Sequence, residues 1–440
     1  IDNAPQSVIL FEWNDKKDYR VARVLYFVKN HSLSGSQEST MKPTANRRNF
    51  LTSTAAAGVM LLSSRTVKGS QANSKIELGV IGCGGRGFFI GKKMNDNVGD
   101  DIQLVAAHDY FTDRLERFQN IFDIPPDRCY TGMDGYKQIL GSEVDGVIIT
   151  SPPYFHPRHT ADAVAANKHI WLCKPVGVDV PGCVSIRESG KKALGKLTLL
   201  VDFQSRNSPY YVEAVKRVHE GSIGEIVSGQ AFNHFPCGGL LPTEGMSPTA
   251  AKIRNWGTNP VLSGDVIVEQ AVHAVDIANW LVGSHPTKAF GTGGLKARLD
   301  AGKNWDHFIV TYWYGDGPKV DLNCAQFMRG YEDLGARMYG KIGVVDTHYR
   351  ANDWGVGPIK ITGNNAWEGT EFDNTWDIGV DNNCLDFVKS IRTGSFINQA
   401  DYAAESTLSA ILGREASYRE SIVTWDEMMK ENKKLDAELE

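Results

Sequence analysis

Cysteine is sparse in this chain of 440 residues: seven, at positions 83, 129, 173, 183, 237, 324 and 384, with no CxxC pair. Without that pair a zinc knuckle or a thioredoxin-like centre is disfavoured, and the scattered spacing argues against a disulfide scaffold. Positive charge is not in excess either. Lys and Arg number 47 against 52 Asp and Glu, a formal charge of -5, and no basic block or finger spacing occurs, so nothing calls for nucleic acid as a partner. Long apolar runs are missing apart from one short stretch near the N-terminus, which is too short for a permanent membrane anchor. No Ser/His/Asp order suggests a nucleophilic triad. What is present, 42% hydrophobic and 22% charged residues, is the composition of a soluble globular protein with room for two substantial domains.

The N-terminal region reads as a leader. Arg47-Arg48-Asn49-Phe50-Leu51 precedes an apolar stretch over 55–62, and Ser70-Gln71-Ala72 offers a small-x-small cleavage site. A basic patch, a short apolar core and such a site form an export-signal pattern, and the paired arginines resemble the twin-arginine signal that exports folded proteins. Met41 stands where an initiator is expected. Residues 1–40 therefore read as an upstream extension and 41–72 as the export signal, which implies twin-arginine machinery during targeting and a periplasmic or secreted destination. If the leader is nonfunctional, the destination is cytoplasmic.

Residues 73–200 read as a doubly wound dinucleotide-binding domain. An apolar strand over 76–81 runs directly into Gly82-Cys83-Gly84-Gly85-Arg86-Gly87 and then a helix over 86–94. Strand, tight turn and helix in that order give the glycines their meaning: Gly82 for the turn, Gly84 for approach of backbone to a pyrophosphate, Gly87 for close helix–strand packing. The helix N-terminal amides face the phosphates. A second strand ends at Asp109, 22 residues after Gly87. A carboxylate there accepts from adenosine ribose hydroxyls and repels a 2′-phosphate, so NAD(H) is favoured and NADP less so; the bland alternative is a strand-end turn carboxylate. Further strands over 145–150, 169–172 and 197–203 alternate with helices, as in a parallel sheet. Two loops, Ser151 to His156 and Cys173-Lys174-Pro175, fall at carboxyl ends of these strands, where ligands bind. Ser151 joins the glycine loop as a cofactor contact, and His156 either lines the same cleft or caps the following helix. Lys174 is either a solvent-facing loop lysine or a cation beside the nicotinamide that stabilises a developing alkoxide.

Residues 201–440 read as an α+β domain for substrate and oligomerisation, its large, predominantly antiparallel open sheet backed by helices on one side. Strands are expected over 226–232, 308–314 and 320–327. A helix beginning at Asp265 carries Glu269, His273 and Asp276 at spacings of four and three, on one face of an otherwise apolar segment. There His273 serves as the proton acceptor and Glu269 or Asp276 orients its ring; the alternatives are a structural histidine network or, less favoured, a metal centre, since helical register alone does not specify metal. Arg254-Asn255-Trp256 and Trp305-Asp306-His307 are candidate substrate-facing segments, or turn elements.

Taken together these motifs resemble the glucose–fructose oxidoreductase/inositol dehydrogenase (Gfo/Idh/MocA) family, in particular its exported bacterial members. Gly82 to Gly87, Lys174-Pro175, Gly221-Ser222-Ile223-Gly224 and the segment from Ser263-Gly264-Asp265 to Trp280 follow in the family's order, as do Leu412-Gly413-Arg414 and Val423-Thr424-Trp425-Asp426. The resemblance implies that Lys174 is the lysine of a Glu-Lys-Pro motif, His273 the proton-transfer histidine, Glu269 an active-site acid usually present as Asp, and Asp276 the acid one turn later. It implies a homodimer or homotetramer acting on a sugar, glycoside or polyol with NAD(H); export of the folded protein favours a cofactor that is tightly retained. Some relatives are NAD-dependent glycosidases that oxidise, eliminate, hydrate and re-reduce; a noncatalytic sensor is a third class. Two departures stand out: Cys173 occupies the place of the motif's Glu, and Cys384 lies where related exported sequences often have His, bearing on the substrate pocket.

Overall fold

A computed structural model describes residues 74–439, apart from 237–238, 300–301, 328–330, 352–358 and 370–374. The leader and Cys237 lie outside the described residues.

Six strands form the first sheet: β1 (Ile76–Ile81), β2 (Ile102–Asp109), β3 (Cys129–Thr131), β4 (Gly146–Ile149), β5 (His169–Cys173) and β6 (Leu199–Asp202), in the order β3-β2-β1-β4-β5-β6. All pairings are parallel. Strands buried on both faces require near-continuous apolar sequence, which Leu78, Val80, Ile81, Val147, Ile148 and Ile149 supply. The order reverses between β1 and β4, so their carboxyl ends open a crevice for a ligand. Gly82 sits in that crevice with φ +100°, and a Cβ there would stand 2.6 Å from the Ser151 amide nitrogen. Only glycine fits.

The second sheet has nine strands. After β7 (Ile226–His234) come β8 (Lys288–Gly294), β9 (His307–Trp313), β10 (Lys319–Ala325), β11 (Asp333–Gly340), β12 (Gly343–Ala351), β13 (Lys360–Gly363), β14 (Trp367–Glu368) and β15 (Val423–Thr424), ordered β14-β13-β12-β11-β7-β10-β9-β8-β15. Every pair is antiparallel except β7 with β10. Along β9 the inward Phe308, Val310 and Tyr312 are buried while Ile309 is exposed. This alternation is that of a sheet covered on one side. The covering layer includes the helices Val272–Val282 and Ala400–Arg419. The latter is buried almost throughout, and its small residues permit close contact: a Cβ on Gly413 would meet the Tyr312 hydroxyl at 2.1 Å.

Two C-terminal segments return to the first sheet. The helix Thr375–Thr393 places Val380, Cys384 and Phe387 in one cluster with Val80, Ile90 and Trp171. Leu199 of β6 donates its amide to Ile397 and accepts from Gln399. Cys384 is thus core packing, and the expectation that it bears on the substrate pocket is corrected: a small buried thiol fits an apolar cluster.

Candidate functional site

The helix Gly85–Val98 starts at Gly84, which brings no side-chain cap, and no acid occupies its first turn. Its leading amides are therefore available to an anion. Space for one is present, because a Cβ on Gly85 would meet nothing within 4 Å and one on Gly84 only Arg114 Nη1 at 3.8 Å. On the inner side a Cβ on Gly87 would stand 2.0 Å from the Gly82 carbonyl oxygen. The two open and two closed glycine positions are what a diphosphate-binding turn requires.

Asp109 is a strand-end turn carboxylate that also faces a cavity. Its Oδ2 accepts from the Cys83 amide at 2.8 Å and its Oδ1 from the Phe111 amide at 2.9 Å, so the carboxylate holds the glycine loop to the end of β2. It also lines a cleft shared with Gly82, Gly84, Gly85, Arg86, Arg114 and Ser151. Each carboxylate oxygen retains a further lone pair for a ribose hydroxyl. The residues present fit an NAD adenosine and diphosphate.

A second cavity of about 370 Å³ continues from the first, with Gly85, Arg86, Thr150, Ser151 and Trp256 lining both. It contains Lys174, Glu269, Gln270 and His273. Lys174 is not solvent-facing: its Nζ donates to the Glu269 carbonyl at 2.6 Å and lies 3.5 Å from Glu269 Oε1, with the side chain 13% exposed. His273 is fully buried, its pKa held well below the ordinary imidazole value by burial first, then by the charges of Lys174 and Arg86. A neutral imidazole beside an ammonium is a base next to an electrostatic stabiliser.

The helix expected from Asp265 is broken. Val266–Glu269 and Val272–Val282 are separate, with Gln270 and Ala271 between them. The break separates Glu269 from the His273 helix and directs it to Lys174. Asp276, expected beside His273, is corrected as well. Its oxygens accept from Arg206 Nε at 2.9 Å, Arg206 Nη2 at 2.8 Å and Ser406 Oγ at 2.7 Å, and it lines neither cavity. The pair ties the start of the second domain to its central helices.

His156 is buried in the wall of the second cavity. Its Nδ1 lies 2.7 Å from the Pro175 carbonyl and its Nε2 2.7 Å from the Ser151 carbonyl. Burial lowers its pKa to about 4; a neutral ring has one N–H, so one of the carbonyls receives it. His156 thus joins the two ligand-facing loops. Cys173 is buried with its thiol pushed up to about 12, chiefly by burial, and brings no charge.

Of the two other segments, Trp305-Asp306 is a turn that leads into β9 at His307. Asp306 Oδ2 accepts the amides of Lys296, Ala297 and Arg298, and Trp305 packs on Phe308 and Tyr418. Trp256 does reach the cavities, but Arg254 faces the adenosine end. It makes two 2.9 Å hydrogen bonds to Asp113 and lies 3.9 Å from the Phe111 ring centre. Sequence reasoning missed this bridge and also Asp202, which lines the second cavity and pairs with Arg86. No local pattern links residues that far apart.

Comparison with known proteins agrees with this geometry. "Oxidoreductase family, NAD-binding Rossmann fold" matches residues 76–199, and "GFO/IDH/MocA C-terminal domain" matches residues 211–346. An inositol 2-dehydrogenase of Acidothermus cellulolyticus is 26% identical over 211 residues, 47% of this chain and 53% of that protein. The chain thus spans about half the length of that relative. A scyllo-inositol 2-dehydrogenase (NAD(+)) of Bacillus subtilis is 24% identical over 62% of this chain and 73% of its own. Among solved structures, myo-inositol 2-dehydrogenase from Lactobacillus plantarum aligns with a TM-score of 0.64 at 20% identity, covering 80% of this chain and 99% of that one. The chain belongs to the Gfo/Idh/MocA family of oxidoreductases with an NAD-binding Rossmann fold.

Proposed function

We propose that this chain is an NAD(H)-dependent oxidoreductase interconverting a secondary hydroxyl and a ketone on a sugar, sugar derivative or polyol. The observation that carries the reading is the continuity of the two cavities. Asp109 and the glycine turn line one, Lys174 and His273 the other, and five residues line both. Bound in such a channel, NAD supplies a hydride acceptor. Lys174 has three ammonium donors, of which Glu269 engages those on one side. Another is available to orient the substrate oxygen and stabilise it as negative charge develops. His273, neutral by burial, takes the hydroxyl proton and returns it in the reverse direction. The relatives named inositol dehydrogenases agree with a cyclic polyol or sugar of similar size.

A second reading has one structural observation in its favour. The Arg254–Asp113 bridge reaches from the second domain to the adenosine end, an arrangement suited to a retained cofactor that is oxidised and restored within one turnover, as in an NAD-dependent glycosidase. The leader pattern agrees with export by the twin-arginine route, with a folded protein carrying its NAD into the periplasm. The uncovered sheet face presents Phe290 and Ile309, 41% and 53% exposed, which supports a homodimer built on that face.

The test is to assay retained cofactor in the native protein and then incubate it with sugars, polyols and glycosides while following NADH absorbance and product masses. Net NADH formation selects the dehydrogenase. Glycosidic cleavage without net NADH selects the internal redox route, and NAD-loaded protein that converts nothing refutes catalysis.

A further inference from the structure

Position 173 lacks the carboxylate of the Glu-Lys-Pro pattern, yet the cavity floor is not short of one. Asp202, the Cα partner of Cys173 across the β5–β6 ladder, ends the neighbouring strand and is fully buried. Its Oδ1 accepts from Asn383 Nδ2 at 3.0 Å and its Oδ2 from the Arg86 guanidinium. Arg86 belongs to the glycine turn after β1, while Asp202 closes β6. The sheet order places β4 and β5 between them. The ion pair therefore crosses the floor of the site, in a cavity also walled by Phe89, Phe235 and Leu334.

A guanidinium in the first turn of a diphosphate-binding helix, lining both cavities, has two competing anions: the cofactor diphosphate and a protein carboxylate. We propose, building on the oxidoreductase reading above, that Asp202 is a positioning residue that supplies from β6 the carboxylate missing at 173, holding Arg86 on the cavity floor and away from the diphosphate. The groups around His273 then balance: Lys174 and Arg86 as cations, Glu269 and Asp202 as anions. With Asp202 neutralised, Arg86 turns its uncompensated charge to the diphosphate, and the surplus cation opposes proton acceptance by His273.

These effects have opposite signs in two measurements, which separates positioning from mere stability. The experiment compares full-length wild type, Asp202→Asn and the double variant Cys173→Glu/Asp202→Asn by NADH fluorescence titration, steady-state turnover and thermal melting. Asp202→Asn is expected to bind NADH several-fold more tightly while turning over about tenfold more slowly. The double variant returns the carboxylate to the adjacent strand and is expected to move both values back toward wild type. Asp202→Glu, which keeps the charge, should fold and retain both. The assignment is overturned if affinity and turnover fall together, if neither changes, or if the carboxylate at 173 restores nothing. Wild type that binds no NADH overturns the functional reading along with it, whereas NADH binding and turnover indifferent to Asp202→Asn overturn this assignment alone.

Discussion

Lys174 donates its ammonium to the backbone carbonyl of Glu269 at 2.6 Å, across 95 residues of sequence. This contact brings the end of β5 to the short helix before His273, and so assembles one cavity from two domains. Because the acceptor is a main-chain oxygen, it does not depend on the Glu269 carboxyl group. Replacing Lys174 with Met should lower turnover by about 10²–10³, the scale for losing a group aimed at developing charge, and leave NADH affinity close to wild type. Parallel fluorescence titration and initial rates check the split.

The pH dependence follows from buried neutral imidazole. His273 has a folded pKa well below its ordinary 6.5 and His156 one of about 4. Between those values and 6.5 the unfolded chain binds protons that the folded chain does not, so stability is present above 6.5 and is lost as pH falls through this window. Melting temperature should decline with acidification there; a flat profile contradicts the burial. Oxidation needs neutral His273, so its rate should hold through the ordinary imidazole range and fall only at lower pH. In Lys174→Met one nearby cation is gone, and the acid limb should move to higher pH.

Asp276 belongs to stability and not to chemistry. Truncating it to Ala strands the Arg206 guanidinium, 17% exposed and stacked 4.4 Å from the Tyr402 ring centre and 4.7 Å from that of Trp280. Loss of one partner of a buried pair costs about 3–5 kcal/mol. Denaturant unfolding should register that loss, while turnover per folded molecule stays within about threefold, the size of an indirect effect.

Arg254→Ala should accelerate NADH release without unfolding the protein. Asp113 is 63% exposed, so the bridge itself contributes at most about 1 kcal/mol, but it lies over the adenosine end with Ile253, Phe111 and Phe155 packed beneath it. Stopped-flow displacement of bound NADH reads the rate. Equal rates in wild type and variant contradict a closing role, and Asp113→Asn should match Arg254→Ala.

Much of the first domain was legible because its signals are local. Ile76–Ile81, the glycine turn and the strand ending at Asp109 occur where apolar runs and Gly chemistry put them. Lys174 and His273 each had a structural alternative, which for Lys174 was the stronger reading on local sequence, and motif order singled them out. The rest depended on distant partners. Nothing at Gln270-Ala271 announces a helix break, since neither Gly nor Pro is there. Asp276 looked catalytic because its register with His273 is visible in sequence and its pairing with Arg206, 70 residues away, is not. Cys384 looked like a site residue from motif position, but the helix that carries it crosses back to the first sheet. Asp202 drew no notice because its significance lies in the facing Cys173 and in Arg86.

The role of His273 as proton acceptor is tested most directly by the turnover of His273→Ala at matched NADH occupancy, using a substrate found with the wild type. NADH binding close to wild type is expected, with a loss of about 10²–10⁴ in turnover, the contribution of a positioned general base. Turnover equal to wild type at full occupancy would contradict it.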